Sequence, residues 1–134
     1  VLAKALARAG WFVHVHYNAS RGAAESVVAE IAAAGGQARA LAADLETLDD
    51  AGAKRLVEDC AAAGPPLMAL VNNASRFDYD TAASFTPDSW RRHQQVNLLA
   101  PVLLARAFAA ALPCAIAHSF ADATQSGPTP FLTH

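Results

Sequence analysis

The stretch from Leu67 to Phe77, LMALVNNASRF, constrains this chain more than any other. Gly64-Pro65-Pro66 punctuates the chain just before it, so the apolar run Leu67 to Val71 starts cleanly. Five apolar residues are too few for a helix. They suit a strand buried on both faces of a parallel sheet. The run then stops at two asparagines, an alanine and a serine. Polar residues at the carboxyl end of such a strand stand where open α/β sheets bind ligands. Asn and Ser are also ordinary turn formers, so the stretch alone leaves both readings open. The rest of the chain favours the first.

Helical and strand patterns alternate along the chain. Val1 to Ala9 reads as a helix ended by Gly10, with no capping residue before it. Trp11 to Tyr17 is aromatic and β-branched, as strands are. Ser20 is placed to cap a helix running to about Ala34, with Ala23, Val27 and Ile31 along one face, Val28 beside them, and Gly35-Gly36 as its stop. Gln37 to Ala43 is a short strand ending at Asp44. Thr47 is expected to cap the next helix, with Asp49 and Asp50 in its first turn and an apolar face of Ala53, Leu56, Val57, Cys60 and Ala61. After the 67–71 strand, Thr86 and Pro87 form a cap and first-turn proline for a long helix to about Leu112. Pro101 is expected to kink it. Cys114 to Ala121 reads as a further strand.

Strands alternating with amphipathic helices give a parallel sheet covered by helices. The right-handed crossover rule then leaves few topologies. A doubly wound, Rossmann-like α/β domain over residues 1–134 fits best. The uncapped first helix, and a Gly/Pro-rich end from Ser126 to His134 that closes no element, lead us to expect a domain incomplete at both ends.

Composition narrows the function. A 54% hydrophobic content with 16% charged residues builds a core in a globular domain. A net charge of -2 argues against nucleic-acid or anionic-membrane partners. No signal peptide is evident, and no apolar run is long enough to span a membrane. Cys60 and Cys114 lack metal or redox spacing and suit buried thiols in a reducing cytoplasm.

Several polar residues fall at strand ends or in unusual places. His16-Tyr17-Asn18-Ala19-Ser20-Arg21 closes the first strand, where a dinucleotide fold reads the adenosine ribose. An acid there would select NAD, and none is present. Ser20 and Arg21 at a helix start suit a 2′-phosphate, although a plain cap and a solvated charge also account for them. His14 and His16 share one strand face, but no third metal ligand stands at sensible spacing, so packed or solvated histidines are expected, as for His93 and His118. Asp44 suits either an adenine contact or a turn. Asn97 lies in an apolar helical stretch, where asparagine competes for backbone hydrogen bonds. It either faces solvent or serves as an amide that relays protons or bends the helix.

Taken together, Asn72-Asn73-Ala74-Ser75, Val96-Asn97 and Asp44-Leu45 resemble, in order and spacing, three motifs of the short-chain dehydrogenase/reductase family. Ser75 followed by Phe77, the HYNASR stretch, and Ala121-Asp122-Ala123 resemble the pteridine-reductase branch. The resemblance implies an NADP(H)-dependent oxidoreductase passing hydride to a pterin or a related carbonyl or imine, and a homo-oligomer for the intact family domain. It implies cofactor contacts from His16, Tyr17, Asn18, Ser20, Arg21, Asp44, Leu45, Asn73 and Ala74. Ser75 and Phe77 would face the substrate, the Phe ring stacking on a planar heterocycle. Asn97 would serve the proton relay and Asp122 the substrate or its acid chemistry.

The sequence also departs from the family pattern. The family's opening strand and TGxxxGxG loop have no counterpart here. Tyr17 and Tyr79 are followed four residues later by Arg21 and Ala83, so the Tyr-x-x-x-Lys pair that tunes the proton-donating phenol is not present. His134 falls near the tyrosine position and could pass protons. In the family's sheet, the opening strand lies between the strands represented here by Trp11–Tyr17 and Leu67–Val71. Without it both lose backbone partners, and the chain alone is expected to be unstable or to aggregate unless those strands pair directly or another chain fills the slot, with little or no catalysis. The alternative is a non-catalytic remnant that binds a nucleotide or a partner chain.

Overall fold

The computed structural model describes residues 1–112. The expected strand at Cys114–Ala121, and Asp122 and His134, lie outside the described residues. In chain order the elements are α1 (Leu2–Arg8), β1 (Phe12–Tyr17), α2 (Arg21–Ala33), β2 (Gln37–Ala42), α3 (Asp50–Ala62), α4 (Pro87–Gln94), a π-helical turn (Gln95–Leu99) and α5 (Ala100–Ala111).

Strands β1 and β2 pair in parallel, in register from Phe12 opposite Gln37 to Tyr17 opposite Ala42. Helix α2 is the crossover between them, so the unit is βαβ. Both α1 and α2 end in a Schellman turn. Gly10 (φ +90) and Gly35 (φ +77) take the left-handed position that a side chain would resist. The amides of Trp11 and Gly36 return to the carbonyls of Leu6 and Ile31. Both glycine stops therefore fall where the sequence places them.

The α2 face differs from expectation by one residue. Ala24 and Ile31 are buried, Val27 and Val28 are half-buried, and Ala23 is exposed. The buried set follows i, i+3, i+4, i+7, whereas Ala23, Val27 and Ile31 drift around the helix at successive steps of four. Ser20 is the N-cap of α2, yet its side chain accepts no capping bond.

Helix α3 begins two residues later than Thr47 implies. Asp49 caps it, accepting from the Gly52 amide at 2.7 Å. Thr47 instead points its hydroxyl at Asp44, 3.3 Å away, because Asp44 closes an Asx turn with the Glu46 amide at 2.9 Å. Ala61 is exposed; the buried face is Ala53, Val57 and Cys60, with Leu56 half-buried. Cys60 is a free thiol whose ionisation burial disfavours.

Thr86 and Pro87 start α4 as expected, and Ser89 completes a reciprocal capping box. The long helix is not simply kinked. It widens into the π turn, where the Ala100 amide reaches back to Gln95, one residue beyond the α spacing. Pro101 explains the site of the defect: it has no N–H for the Asn97 carbonyl, and its ring crowds that carbonyl in an α-helix.

The main core is built where α3, the π turn and α5 meet. Leu45, Leu48, Ala53, Val96, Ala100 and Leu104 cluster there, with Leu56, Leu70, Leu103 and Ala107 at the margin. Ala53 and Ala100 are completely buried, so these backbones approach closely. A second, smaller set, Ala7, Ala24 and Ile31, lies where α1 and α2 pack by the strands.

Residues 67–71 form no strand. Among the described residues the sheet has two strands, and β1 pairs only with β2. Leu67 and Leu70 are half-buried, while Met68 and Val71 stay more than half exposed. A strand needs a hydrogen-bonded neighbour, and this run pairs with neither described strand.

Candidate functional site

The carboxyl ends of β1 and β2 lie side by side in the parallel ladder, and the residues following them meet. The Ala43 amide donates to the Tyr17 carbonyl at 3.0 Å, extending the pairing by one bond. The His16 ring Nε2 is 2.9 Å from the Ala43 carbonyl. The Asn18 amide nitrogen is 3.4 Å from Asp44 Oδ1. Of the two roles open to it, Asp44 takes the turn, and it also faces the end of β1. A depression of about 270 Å³ opens beside it, lined by Ala43, Asp44, Thr47, Asp49 and Arg55 among others.

Ser20 and Arg21 stand at the start of α2, both exposed. Arg21 pairs with Glu25 one turn on, at 2.7 Å. That carboxylate raises the guanidinium's affinity for its proton. Leu45, expected at the adenine edge, is buried in the main core. Its carbonyl and that of Leu48 accept from the Gln95 side chain at 3.3 and 2.8 Å. The loop after β2 is therefore tied to the π turn.

The other half of the site is the segment after Val71. Asn73 and Ala74 are exposed, and Asn73 donates its amide to the Val71 carbonyl at 3.2 Å. The Asn72 side chain comes no nearer than 3.5 Å to the Pro101 carbonyl. Phe77 is 81% exposed and stands edge-to-face with Tyr79, with ring centroids 6.5 Å apart.

Asn97 is brought onto this segment. Its carboxamide oxygen accepts from the Arg76 amide at 2.7 Å, and its nitrogen donates to the Arg76 carbonyl at 2.9 Å. One side chain thus grips both main-chain groups of the residue between Ser75 and Phe77. An asparagine in this apolar helical stretch has its explanation in that grip.

Arg76, Glu46, Asp78 and His93 were not singled out by sequence as a unit. The Arg76 guanidinium pairs with Glu46 and, through Nε at 2.8 Å, with Asp78. It holds the Asp78 carboxyl below its usual ionisation range. The Asp78 amide donates to His93 Nε2 at 3.0 Å, while His93 Nδ1 lies 2.8 Å from the Ser89 carbonyl. The neutral Nδ1–H tautomer satisfies both contacts. Ser89, buried, donates to Asp80 at 2.7 Å. The only local sequence cue was three alternating charges, Arg76, Asp78 and Asp80.

The two strand histidines differ. His16 is bonded, whereas both ring nitrogens of His14 are buried without a partner. His14 packs against Phe12, with ring centroids 5.0 Å apart. Burial, with Arg39 nearby, lowers its proton affinity. Among the described residues no group of three or more His, Cys, Asp or Glu gathers as a metal site. No helix of the described residues is long and apolar enough to cross a membrane.

A parallel βαβ unit, with polar residues converging at its carboxyl edge, defines a Rossmann-like α/β protein. The short chain dehydrogenase family model matches residues 1–118, and the chain belongs to that family. An uncharacterised oxidoreductase of Methylorubrum extorquens is 37% identical over 106 residues, which cover 79% of this chain and 42% of that protein. FolM alternative dihydrofolate reductase 1 of Brucella canis, solved with NADP, is 36% identical with a TM-score of 0.72, over 81% of this chain and 42% of its own. A short chain dehydrogenase of Burkholderia cenocepacia, also solved with NADP, is 34% identical with a TM-score of 0.76, over 83% of this chain and 44% of its own. The chain thus spans less than half the length of these relatives.

Proposed function

We propose that this chain supplies the adenosine-binding edge and part of the substrate wall of an NADP(H)-dependent short-chain reductase. The observation that carries the reading is the acid-free helix start beside the Asn18–Asp44 contact. Ser20 keeps its hydroxyl out of capping, and Arg21 is exposed at the same turn. A ribose 2′-phosphate finds a hydroxyl, a cation and a helix N-terminus there. Tyr17 and His16 close the strand beneath. Asn73 and Ala74 would back the cofactor further along the same edge. NADP in the Brucella and Burkholderia relatives supports the same reading.

A planar heterocycle such as a pterin is the substrate class we assign. Ser75 and the exposed ring of Phe77 flank the clamped Arg76. The name of the Brucella relative, an alternative dihydrofolate reductase, supports that class. Asn97 would serve the proton relay: its carboxamide keeps a second N–H and a second lone pair beyond the Arg76 bonds, and Pro101 offers no N–H to its main-chain carbonyl. Asp122 would orient substrate, and His134 would stand where the family's tyrosine is expected. A reducing cytoplasm suits the free Cys60 thiol.

Neither Tyr17 nor Tyr79 is followed by lysine at the fourth position. We therefore read the 134-residue chain as binding cofactor without turning it over. Fluorescence titration of NADPH and NADH against wild type and Arg21→Ala tests this. The wild type should prefer NADPH, and the variant should bind both alike. Equal affinities in the wild type, or an unchanged preference in the variant, reject the phosphate role.

A further inference from the structure

We propose that Arg76 is a positioning residue that fixes the substrate-side segment against the adenosine edge. The substrate and cofactor labels of those two sides rest on the function proposed above; the linkage itself does not. Arg76 occupies the middle of a polar chain. On one side its guanidinium meets Glu46, whose amide is held by Asp44 at 2.9 Å, and Asp44 faces Asn18. On the other side it grips both oxygens of Asp78, at 2.8 and 3.3 Å, and the Asp78 amide is held by His93. Its own main chain is held by Asn97.

Three features separate this arrangement from a solvated surface pair. The three charged side chains are each about one-third exposed, at 28%, 30% and 35%. The Arg76–Asp78 contact is two-pronged, which fixes direction as well as distance. Residues 71–80 belong to no helix or strand, so side chains supply the order that a ladder would give elsewhere. One guanidinium also stands between two carboxylates. The cluster therefore carries a net negative charge, so Arg76 is a strut and not a phosphate ligand. Removing either Glu46 or the guanidinium frees Ser75 to Asp78 from the adenosine edge while leaving the apolar core untouched.

Amide hydrogen exchange on the 134-residue chain, read residue by residue by NMR, tests the proposal. The wild type should protect the Arg76 and Asp78 amides. Glu46→Gln and Arg76→Met should each speed exchange at both amides by roughly three- to tenfold, while Ile31, Val57 and Leu104 exchange as before. Arg76→Lys, which keeps the charge and loses the fork, should recover part of the protection. Unchanged exchange at the two amides in both variants overturns the proposal. So do a loss spread evenly over α3 and α5, and a wild type without protection at these positions. Added NADPH should slow exchange at Arg76 and Asp78 in the wild type and leave it unchanged in Glu46→Gln. A wild type that binds no NADPH sinks the function proposed above, and the ligand-free comparison still decides the role of Arg76.

Discussion

Replacing Asn97 by alanine isolates the clamp on Arg76. Two hydrogen bonds of 2.7 and 2.9 Å are lost. Each contributes about 1 kcal/mol net, so the direct loss is about 2 kcal/mol. Asn97 is exposed, so water reaches the freed Arg76 groups and no burial penalty is added. Alanine is the better helix former by roughly 0.5 kcal/mol, which leaves a net loss of about 1.5 kcal/mol. With an unfolding entropy of about 2.1 cal/mol/K per residue, a chain of this size should melt about 5 °C lower. Thermal unfolding followed by circular dichroism measures the shift. Asn72→Ala is the control, because its 3.5 Å approach to the Pro101 carbonyl is at the limit of a hydrogen bond. Its midpoint should move little. An Asn97→Ala midpoint equal to or above wild type would show that the clamp adds no stability and that helix propensity alone governs the position.

His14 should make the fold acid-sensitive. Its folded pKa lies below 6.5, so on acidification the unfolded chain takes up a proton before the folded one does. Stability is therefore complete above that pH and is lost as pH falls from 6.5 towards the lowered value. His14→Phe should shrink the drop in melting midpoint between about pH 7.5 and about pH 5.5; an identical drop in both proteins would refute the assignment. Ala100→Leu should cost about 1–3 kcal/mol by overpacking, read from denaturant midpoints, because Ala100 has no exposed surface against Leu45, Leu48 and Leu104. An unchanged midpoint would mean that α3 and α5 can separate at no cost.

The features readable from the sequence are those decided within a few residues. Thr86, Pro87 and Ser89 close a cap over one turn, and Gly10 and Gly35 end helices through bonds to the turn before. The βαβ unit was readable because Trp11–Tyr17 and Gln37–Ala43 differ in pattern from the helix between them. Helix α3 was placed two residues early because two local signals compete. Thr47 is a good cap, but Asp44 draws its hydroxyl into an Asx turn and leaves the cap to Asp49. The edge formed by Asn18 and Asp44 was readable for a topological reason: parallel strands bring their carboxyl ends together whatever lies between. The Glu46–Arg76 pair was not, because it joins residues 30 apart and no periodicity marks it.

The 67–71 run shows where local reading stops and what replaces it. Its composition is that of a buried strand, yet strand structure resides in hydrogen bonds to a neighbour, and no described strand pairs with it. Apolar contact alone half-buries Leu67 and Leu70, with Leu70 at the margin of the core. Beyond Val71 the backbone is organised by side chains. Asn97 offers Arg76 one acceptor and one donor, the same pair of groups that a peptide of an adjoining strand would offer. His93 does half of this for Asp78. The molecule therefore keeps two separable sources of order. Apolar packing around Ala53 and Ala100 holds the helices, and a few polar side chains hold the Ser75–Asp78 segment. A substitution in the first set shifts the melting of the whole chain, whereas one in the ionic network around Arg76 should act on the site before it acts on the fold.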